Sequence, residues 1–295
     1  MGTKQITRDQ HYVQRKYLVP WTDDLTTEGF VNAEIDNNSP KPINIKRILF
    51  EKDYYEIPVL NNDEIGICYA CLSRIPLLNK KTVMSYIRNL IITKDLNDAC
   101  TSEQRKDLKR VLIQLGEDFQ KCAENMMDDE LRSKIFKCDS SFLEDEIIKH
   151  RFLTYLFMQY FRTPAVREGI ANNIKNYIKS EGLVDVDGDK IWAVIHGAIS
   201  SGAANYMATK RVNIKFLKTD NELLLTSDCP VVRLDLAKDK TDRFYYPFSP
   251  DVAMIIGTND DDSGITKLSK VEINQFNGLM RNNSRRFVIS KCYQR

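Results

Sequence analysis

The chain has 295 residues, 42% of them hydrophobic and 28% charged, with 43 Lys and Arg against 41 Asp and Glu and a formal net charge of +2. This composition is that of an ordinary soluble globular protein. It excludes a global basic field, so that contact with nucleic acid would need a local basic patch. No stretch reaches the roughly 18 apolar residues of a membrane span, and no Walker or G-x-G-x-x-G phosphate loop occurs.

The seven cysteines predict reduced thiols rather than a disulfide framework, because their number is odd and residues 1–8 carry no apolar signal segment. Cys68 and Cys71 have C-x-x-C spacing, but no second pair follows at the spacing of a zinc ribbon. We therefore interpret them as part of an apolar helix face. We expect no metal, no cofactor, and a cytoplasmic location without a membrane anchor.

The first 60 residues predict a loose tail over 1–8, a dense aromatic and basic cluster over His11–Leu18, and a strand over Phe30–Ile35. Asn37–Pro40 predicts a turn. The segment Ile43–Glu56 is ambiguous, and the spacing of its apolar residues, which ends in a tyrosine pair, suggests a short helix.

Residues 61–210 predict a helical body. Thr101 and Gln104 form a capping-box pattern, and the helix after them carries an apolar stripe at i, i+3, i+4 and i+7 spacing, which predicts a buried face. The next helix is apolar on most sides, which predicts a central position. It ends at Thr163–Pro164, because the residue before a proline disfavours helical backbone. Two more helices are predicted at about 165–181 and 188–208. The stripe consists of Leu108, Val111, Leu112, Leu115, Phe119, Cys122 and Met126.

After residue 211 the apolar period changes to two, which predicts an antiparallel meander with short polar connections. A final helix over Ser269–Ser284 leads into a last strand over Arg286–Ser290. The fold class is therefore α+β, a central helical body with a C-terminal antiparallel β-sheet, in a single domain, 1–295, with parts 1–60, 61–210 and 211–295. The meander strands are predicted near Ile214 and over Glu222–Leu225, Val231–Leu236, Phe244–Tyr246 and Val252–Ile256.

A polar cluster interrupts this meander where Leu223–Leu225 runs into Thr226, Ser227 and Asp228, followed by a proline. Two hydroxyls and a carboxylate at the mouth of a strand can present chemistry or bind a ligand. The same residues can equally form a polar strand break with an Asx or ST turn. We expect the cluster around His11 to face them.

Four motifs follow one another along the chain: His11-Tyr12-Val13, Gln159 with Arg162-Thr163-Pro164, Thr226-Ser227-Asp228, and Pro247–Pro250. In this order they resemble the His-Tyr-Val-Pro, Gln-x-x-Arg-Thr-Pro, Thr-Ser-Asp-Asn-Pro-Val and Pro-Leu-Ser-Pro segments of a large, mainly bacterial family catalogued as domain of unknown function 4238. The resemblance spans residues 10–290 and implies a shared fold, not an activity. Gln14 and Cys229 depart from the family pattern, which has proline and asparagine there.

If these motifs converge, they form a set suited to phosphate chemistry. A histidine can donate or accept a proton near neutral pH, arginines bind a phosphate in a planar, bidentate way, and a serine–aspartate pair can orient the histidine. The alternative is structural: a satisfied buried histidine, arginines that cap a helix, and an aspartate that accepts backbone N–H bonds. The predicted site comprises His11, Arg15 and Asp228 as catalytic residues and Tyr12, Gln159, Arg162, Thr226 and Ser227 as substrate-binding residues.

Three functions remain open at this point. The first is a nuclease-like effector that cleaves RNA or DNA phosphodiesters without a metal, in a bacterial defence or toxin setting. The second is a non-catalytic sensor that binds a nucleotide or another anion with the same arginines, and the third is an interaction protein whose motifs are structural. The expected partner is nucleic acid or a nucleotide. The basic cluster of Arg281, Arg285, Arg286 and Lys291 is interpreted as a solvated face rather than as a nucleic-acid surface.

Overall fold

A computed structural model describes residues 8–75, 77–180, 186–221, 223–234, 242–258 and 263–293. The predicted α+β class is confirmed, with a helical body in the middle of the chain and strands towards both ends. Within the described residues the helices are α1 Arg15–Leu18, α2 Asn62–Leu72, α3 Lys80–Ala99, α4 Ser102–Glu124, α5 Asp129–Phe136, α6 Glu146–Phe161, α7 Pro164–Ser180, α8 Gly188–Ala208 and α9 Lys270–Asn283.

Within the described residues the strands are β1 Asp9–His11, β2 Phe30–Ile35, β3 Lys41–Asn44, β4 Phe50–Lys52, β5 Asn213–Lys218, β6 Thr226–Ser227, β7 Val232–Arg233, β8 Phe244–Pro247, β9 Val252–Gly257, β10 Gly264–Lys267 and β11 Phe287–Ser290. They form three sheets, with orders β1-β4, β10-β5-β9-β8-β7 and β3-β2-β11-β6. All pairings in the described chain are antiparallel except the parallel pair β10–β5. The predicted C-terminal antiparallel sheet is confirmed, since β7, β8 and β9 follow one another as antiparallel neighbours and β5 pairs with β9. The strands β6 and β11 instead join β2 and β3, so the C-terminal strands are divided between two sheets.

Side-chain caps and proline set the helix boundaries. The predicted capping box at Thr101 is present, since its side chain accepts from the N–H of Gln104 and the Gln104 side chain accepts from the N–H of Thr101. Such a box satisfies donors that the first turn leaves unpaired. Helix α6 ends at Phe161 and α7 begins at Pro164, which suits the first helical position because its missing N–H would have no partner there.

Helix α6 lies in the middle of the main core, as predicted. Phe152, Leu153 and Leu156 of α6 are fully buried, and the same core includes Trp192 of α8 and residues of the two larger sheets. A second apolar cluster joins α2, α3, α7 and α8. A third lies between the five-stranded sheet and α9.

The apolar stripe predicted for α4 is mostly on the wrong face. Val111, Leu115 and Phe119 are 54%, 52% and 49% exposed. The buried face instead contains Gly116, where an added Cβ would lie 1.7 Å from the backbone oxygen of Tyr55. Glycine therefore allows the backbone at Tyr55 to approach α4, and this approach determines which side of the helix is covered.

Two further predictions differ from the structure. Ile43–Glu56 forms no α-helix but the end of β3, the 3-10 turn Ile45–Arg47 and β4. Residues 223–225 are not a strand, because side chains take up their backbone groups: Trp21 Nε1 donates to Leu224 O at 3.2 Å, and Asn277 donates to Leu223 O and accepts from Leu225 N-H, each at 2.9 Å. Residues 1–7, 222, 235 and 236 of the predicted segments lie outside the described residues.

Candidate functional site

Two clefts lie on opposite sides of the backbone formed by the end of β1 and the 3-10 turn after β3. The histidine cleft, of about 440 Å³, is lined by His11 and Lys46. Their chain neighbours Tyr12 and Arg47 line the arginine cleft, of about 690 Å³. Asp228 also lines the arginine cleft, and the two clefts share no lining residue. The structure therefore does not bring His11 and Asp228 into one site, in contrast to the expected convergence of their motifs.

His11 is partly buried in the wall of the histidine cleft. Its Nε2 lies 3.2 Å from the carbonyl oxygen of Ile45, and its ring packs on Phe50 at a centroid distance of 5.5 Å. Burial lowers the pKa of His11 to about 4, and the positive charges of Arg15 and Arg162 act in the same direction. At neutral pH the imidazole is therefore uncharged, and with Nε2–H donating to Ile45 its Nδ1 is an acceptor.

Arg15 stands beside His11 in the same cleft. It forms no ion pair with any residue that the structure describes, whereas the nearby Lys46 pairs with Glu28 and Lys121 pairs with Glu117. Arg15 is therefore the cation of this cleft that is most available to an anion.

Arg162 lies behind the histidine cleft and is only 1% exposed. Its Nη1 donates to Glu124 Oε1 at 2.7 Å, and its Nε and Nη2 donate to Gln159 Oε1 at 3.1 and 2.8 Å. Burial alone would lower the pKa of Arg162, but Tyr55 and Glu124 outweigh burial and raise it. Because Glu124 lines the cleft, the guanidinium acts on the cleft through that carboxylate and does not face a ligand itself.

Gln159 continues this buried network towards the front of the histidine cleft. Its Nε2 donates to the hydroxyl of Tyr155 at 2.9 Å, and that hydroxyl donates to Gln14 Oε1 at 3.2 Å. Gln14 lines the cleft. Gln14 thus accepts a hydrogen bond at the edge of the cleft.

Thr226 and Ser227 are fully buried. The hydroxyl of Tyr17 donates to the carbonyl of Pro247 at 2.6 Å, and Thr226 Oγ1 lies 2.7 Å from the same hydroxyl. Ser227 Oγ accepts from the N–H of Cys229 at 3.1 Å, which is an ST turn. These two residues thus connect the N-terminal segment to the sheets and form the polar strand break, and neither lines a cleft.

Asp228 holds the turn between α9 and β11. Its Oδ1 accepts from the N–H of Arg285 at 3.0 Å, and its Oδ2 accepts from the N–H groups of Arg286 at 2.7 Å and Phe287 at 3.1 Å. Burial raises the pKa of Asp228, and these three N–H bonds oppose that rise. The carboxylate thereby fixes the backbone from which Arg285 and Arg286 reach the arginine cleft.

Arg167 forms the opposite side of the arginine cleft. Its guanidinium stacks over the rings of Tyr54 and Trp192, 5.2 and 5.0 Å from their centroids. Its Nε donates to Asp189 Oδ1 at 3.1 Å. Burial tends to lower the pKa of Arg167, but Tyr54 and Asp189 raise it above the usual value. Arg167 is thus a charged group with a fixed orientation.

The remaining charges of the arginine cleft are only partly compensated. Arg285 pairs with Glu168 at 2.5 Å and Arg286 with Asp36 at 3.1 Å. Arg47 forms no ion pair within the described chain, and Lys175 reaches a carboxylate only at 3.7 Å. In total, five cationic side chains face four carboxylates, one of which, that of Asp228, is covered by backbone N–H groups.

Sequence reasoning missed this cleft because it treated the basic cluster near the C-terminus as one solvated face. In the structure only Arg285 and Arg286 of that cluster line the cleft. Arg281 pairs with Glu34, and Lys291 donates to the carbonyl of Pro20. Tyr12, a predicted binding residue, borders the cleft but is 5% exposed.

A family model described as protein of unknown function, DUF4238, matches residues 9–292. The chain belongs to this family. The predicted family is therefore confirmed over almost the whole chain. Among curated proteins and solved structures, none matches the chain significantly.

The four sequence motifs contribute buried side chains to the interior through Gln159, Arg162, Thr226 and Ser227. They reach the two clefts through His11, Tyr12, Pro164 and Asp228. In the ranges that the structure describes, no three His, Cys, Asp or Glu side chains are grouped so as to hold a metal ion. No described helix combines the length and the apolar character that a membrane span needs.

Proposed function

We propose that this protein binds a phosphate-bearing ligand, a nucleotide or a segment of nucleic acid, in the arginine cleft. The observation that carries the proposal is the convergence of Arg47, Arg167, Lys175, Arg285 and Arg286 on one cleft of about 690 Å³. That volume lies within the range of small-ligand sites, about 300 to 1,000 Å³. Guanidinium groups are the preferred bidentate partners of phosphate oxygens.

The orientation of these cations supports binding over simple solvation. Arg167 is held by two aromatic rings and by Asp189, and Arg285 and Arg286 extend from a turn that Asp228 fixes. Side chains and backbone that are already ordered lose less conformational freedom when a ligand binds. The cleft is therefore preorganised for an anion.

Calorimetric titration tests the proposal, with ADP as the phosphate probe and adenosine as its uncharged counterpart. We expect ADP to bind, adenosine to bind at least about tenfold more weakly, and Arg47→Met or Arg286→Met to weaken ADP by about tenfold. Arg281→Met is the matched control, because it removes a charge from the same basic cluster but outside the cleft. Equal affinities for ADP and adenosine, or equal losses in all three variants, would contradict an anion site in this cleft.

Cleavage of RNA or DNA at the histidine cleft is a second candidate function. A specific observation favours it: an uncharged imidazole, that of His11, lies beside Arg15, a cation without a partner in the described chain. In this proposal Arg15 binds the phosphate, and His11 Nδ1 accepts a proton from the attacking water or 2′-hydroxyl while the bond from phosphorus to the leaving oxygen breaks. The leaving oxygen takes its proton from solvent. Asp228 has no part in it, since it lines the other cleft.

A panel of RNA and DNA substrates, incubated with magnesium, manganese or EDTA, tests this second function. We expect His11→Ala to abolish cleavage that EDTA leaves unchanged. His150→Ala is the matched control, because His150 bonds to Asn205 and lines neither cleft. Cleavage that EDTA abolishes, or that survives in His11→Ala, would rule out this mechanism.

A further inference from the structure

A third cavity, apart from both clefts, lies between α5 and the segment that follows α1. Its volume is about 600 Å³. Its walls are largely apolar and include Val19, Pro20, Leu25, Phe136 and Pro250. It shares only Lys16 and Thr27 with the histidine cleft and nothing with the arginine cleft.

Arg132 of α5 lines this cavity and is 7% exposed. Its Nη2 donates to the carbonyl of Lys16 at 3.1 Å, and its guanidinium lies over the rings of Phe248 and Phe136, 5.1 and 6.0 Å from their centroids. Its Nη1 is buried without a hydrogen-bond partner. It forms no ion pair with any carboxylate in the described chain.

A buried cation without a counterion is unfavourable, because a charged group removed from water needs an opposite charge or a full set of hydrogen bonds. The aromatic rings supply part of that stabilisation. An anion in the cavity would add stabilisation through its charge, because Arg132 lines the cavity. Lys16 and Lys291 line the same cavity and add positive charge at its rim.

Asp251 is the carboxylate among the lining residues, and Ser249 Oγ donates to its Oδ1 at 2.5 Å. Arg132, Lys16 and Lys291 line the same cavity. Because these cations outnumber the carboxylate, the cavity favours an anionic head group over an uncharged one.

Leu25 places an apolar side chain at the edge of the cavity. It is 61% exposed and lines the cavity. Its φ of 55° lies in the left-handed region that a branched side chain rarely occupies.

We propose that this cavity binds an anionic amphiphile, an apolar chain that ends in an anionic head group, with the head group at Arg132 and the chain against Leu25 and Phe136. This site is separate from the arginine cleft and borders the histidine cleft at Lys16 and Thr27. Burial of an alkyl chain against these walls supplies affinity, and the charge of Arg132 supplies discrimination for the acid over the alcohol.

Calorimetric titration with octanoate, 1-octanol and octyl phosphate tests the site. We expect octanoate and octyl phosphate to bind more tightly than 1-octanol, and octanoate to raise the melting midpoint of the folded protein by mass action. Arg132→Met should weaken octanoate by about tenfold and leave 1-octanol unchanged. Lys134→Met is the matched control, because it removes a cation from the same helix outside the cavity.

Two features of the test separate a loss of binding from a loss of folding. Arg132→Met replaces a buried, unpaired charge by an apolar chain, which is often neutral or stabilising, so its midpoint without ligand should not fall. Leu25→Asn suits the left-handed backbone and should weaken octanoate and 1-octanol alike. Equal binding of octanoate and 1-octanol, or octanoate binding that Arg132→Met does not change, would overturn the proposal, as would absence of octanoate binding.

Discussion

Replacement of Asp228 by asparagine preserves the size of the side chain but leaves one acceptor oxygen in place of two. In the wild type Oδ1 accepts one N–H, from Arg285, and Oδ2 accepts two, from Arg286 and Phe287. In Asp228→Asn the side-chain NH₂ must face at least one of these donors. The best orientation keeps the two bonds at the Oδ2 position and leaves the N–H of Arg285 without a partner.

The expected loss of stability follows from this count. A backbone N–H left without a partner costs about 1 to 3 kcal/mol, and the two remaining bonds lose the assistance of a negative charge. Against this, burial raises the pKa of Asp228, so that its charged form carries a desolvation penalty that asparagine avoids. We expect a net loss of about 2 kcal/mol in the free energy of unfolding, which for a chain of this size lowers the melting midpoint by about 3 °C.

Urea unfolding of wild type and Asp228→Asn measures the loss of stability. Titration of the same variant with ADP measures the effect on the arginine cleft, and we expect ADP to bind more weakly. The control is Asp145→Asn at the start of α6. There a single oxygen, Oδ1, accepts from both Ile147 and Ile148 N–H, so asparagine is an equivalent cap. If Asp228→Asn unfolds at the urea concentration of wild type while an activity is lost, Asp228 acts chemically and not as a clamp.

Three further predictions concern stability and can be measured by urea unfolding. Gly116→Ala should cost more than about 3 kcal/mol, because the new Cβ would lie 1.7 Å from the backbone oxygen of Tyr55, whereas Gly66→Ala in α2 has open space and should stabilise by about 1 kcal/mol. Arg162→Met should cost about 3 kcal/mol, because it leaves the buried acceptors of the Arg162 network unpaired. Burial lowers the pKa of His196 to about 4 from an ordinary 6.5, so the unfolded chain binds more protons between these values. His196 therefore lowers stability as pH falls from 6.5 towards 4, by on the order of 3 kcal/mol, and His196→Gln should flatten this part of the profile.

Each of these predictions has an opposing outcome. Equal effects of alanine at Gly116 and Gly66 would mean that close approach does not determine the buried face of α4. A loss below about 1 kcal/mol for Arg162→Met would place its bonds in the range of solvent-exposed pairs. If the free energy of unfolding of His196→Gln depends on pH as in the wild type, other groups cause the loss of stability between pH 6.5 and 4.

Features that depend on neighbours within about four residues were readable from the sequence. The capping box at Thr101, the break between α6 and α7 at Pro164, and the central position of the apolar helix α6 all follow from local hydrogen bonding, backbone restriction and side-chain polarity. The α+β class follows from the change in apolar period. Family membership was readable from motif order alone, and the model match over residues 9–292 confirms it.

Long-range features were not readable in the same way. The strand β11 pairs with β2, more than 250 residues earlier, and with β6, so no local pattern could divide the C-terminal strands between two sheets. The buried face of α4 depends on Gly116 meeting the backbone of Tyr55, a contact between distant segments.

The same dependence on contacts between distant segments explains why the candidate site was not predicted as it occurs. The types of residue needed for phosphate binding were recognisable, but their grouping was not. His11 and Tyr12 are neighbours in the chain and yet line different clefts. Asp228 meets Arg285 and Arg286 across 57 and 58 residues. Which charges share a cleft is thus decided by the packing of segments distant in sequence, since only that packing brings their side chains within bonding distance.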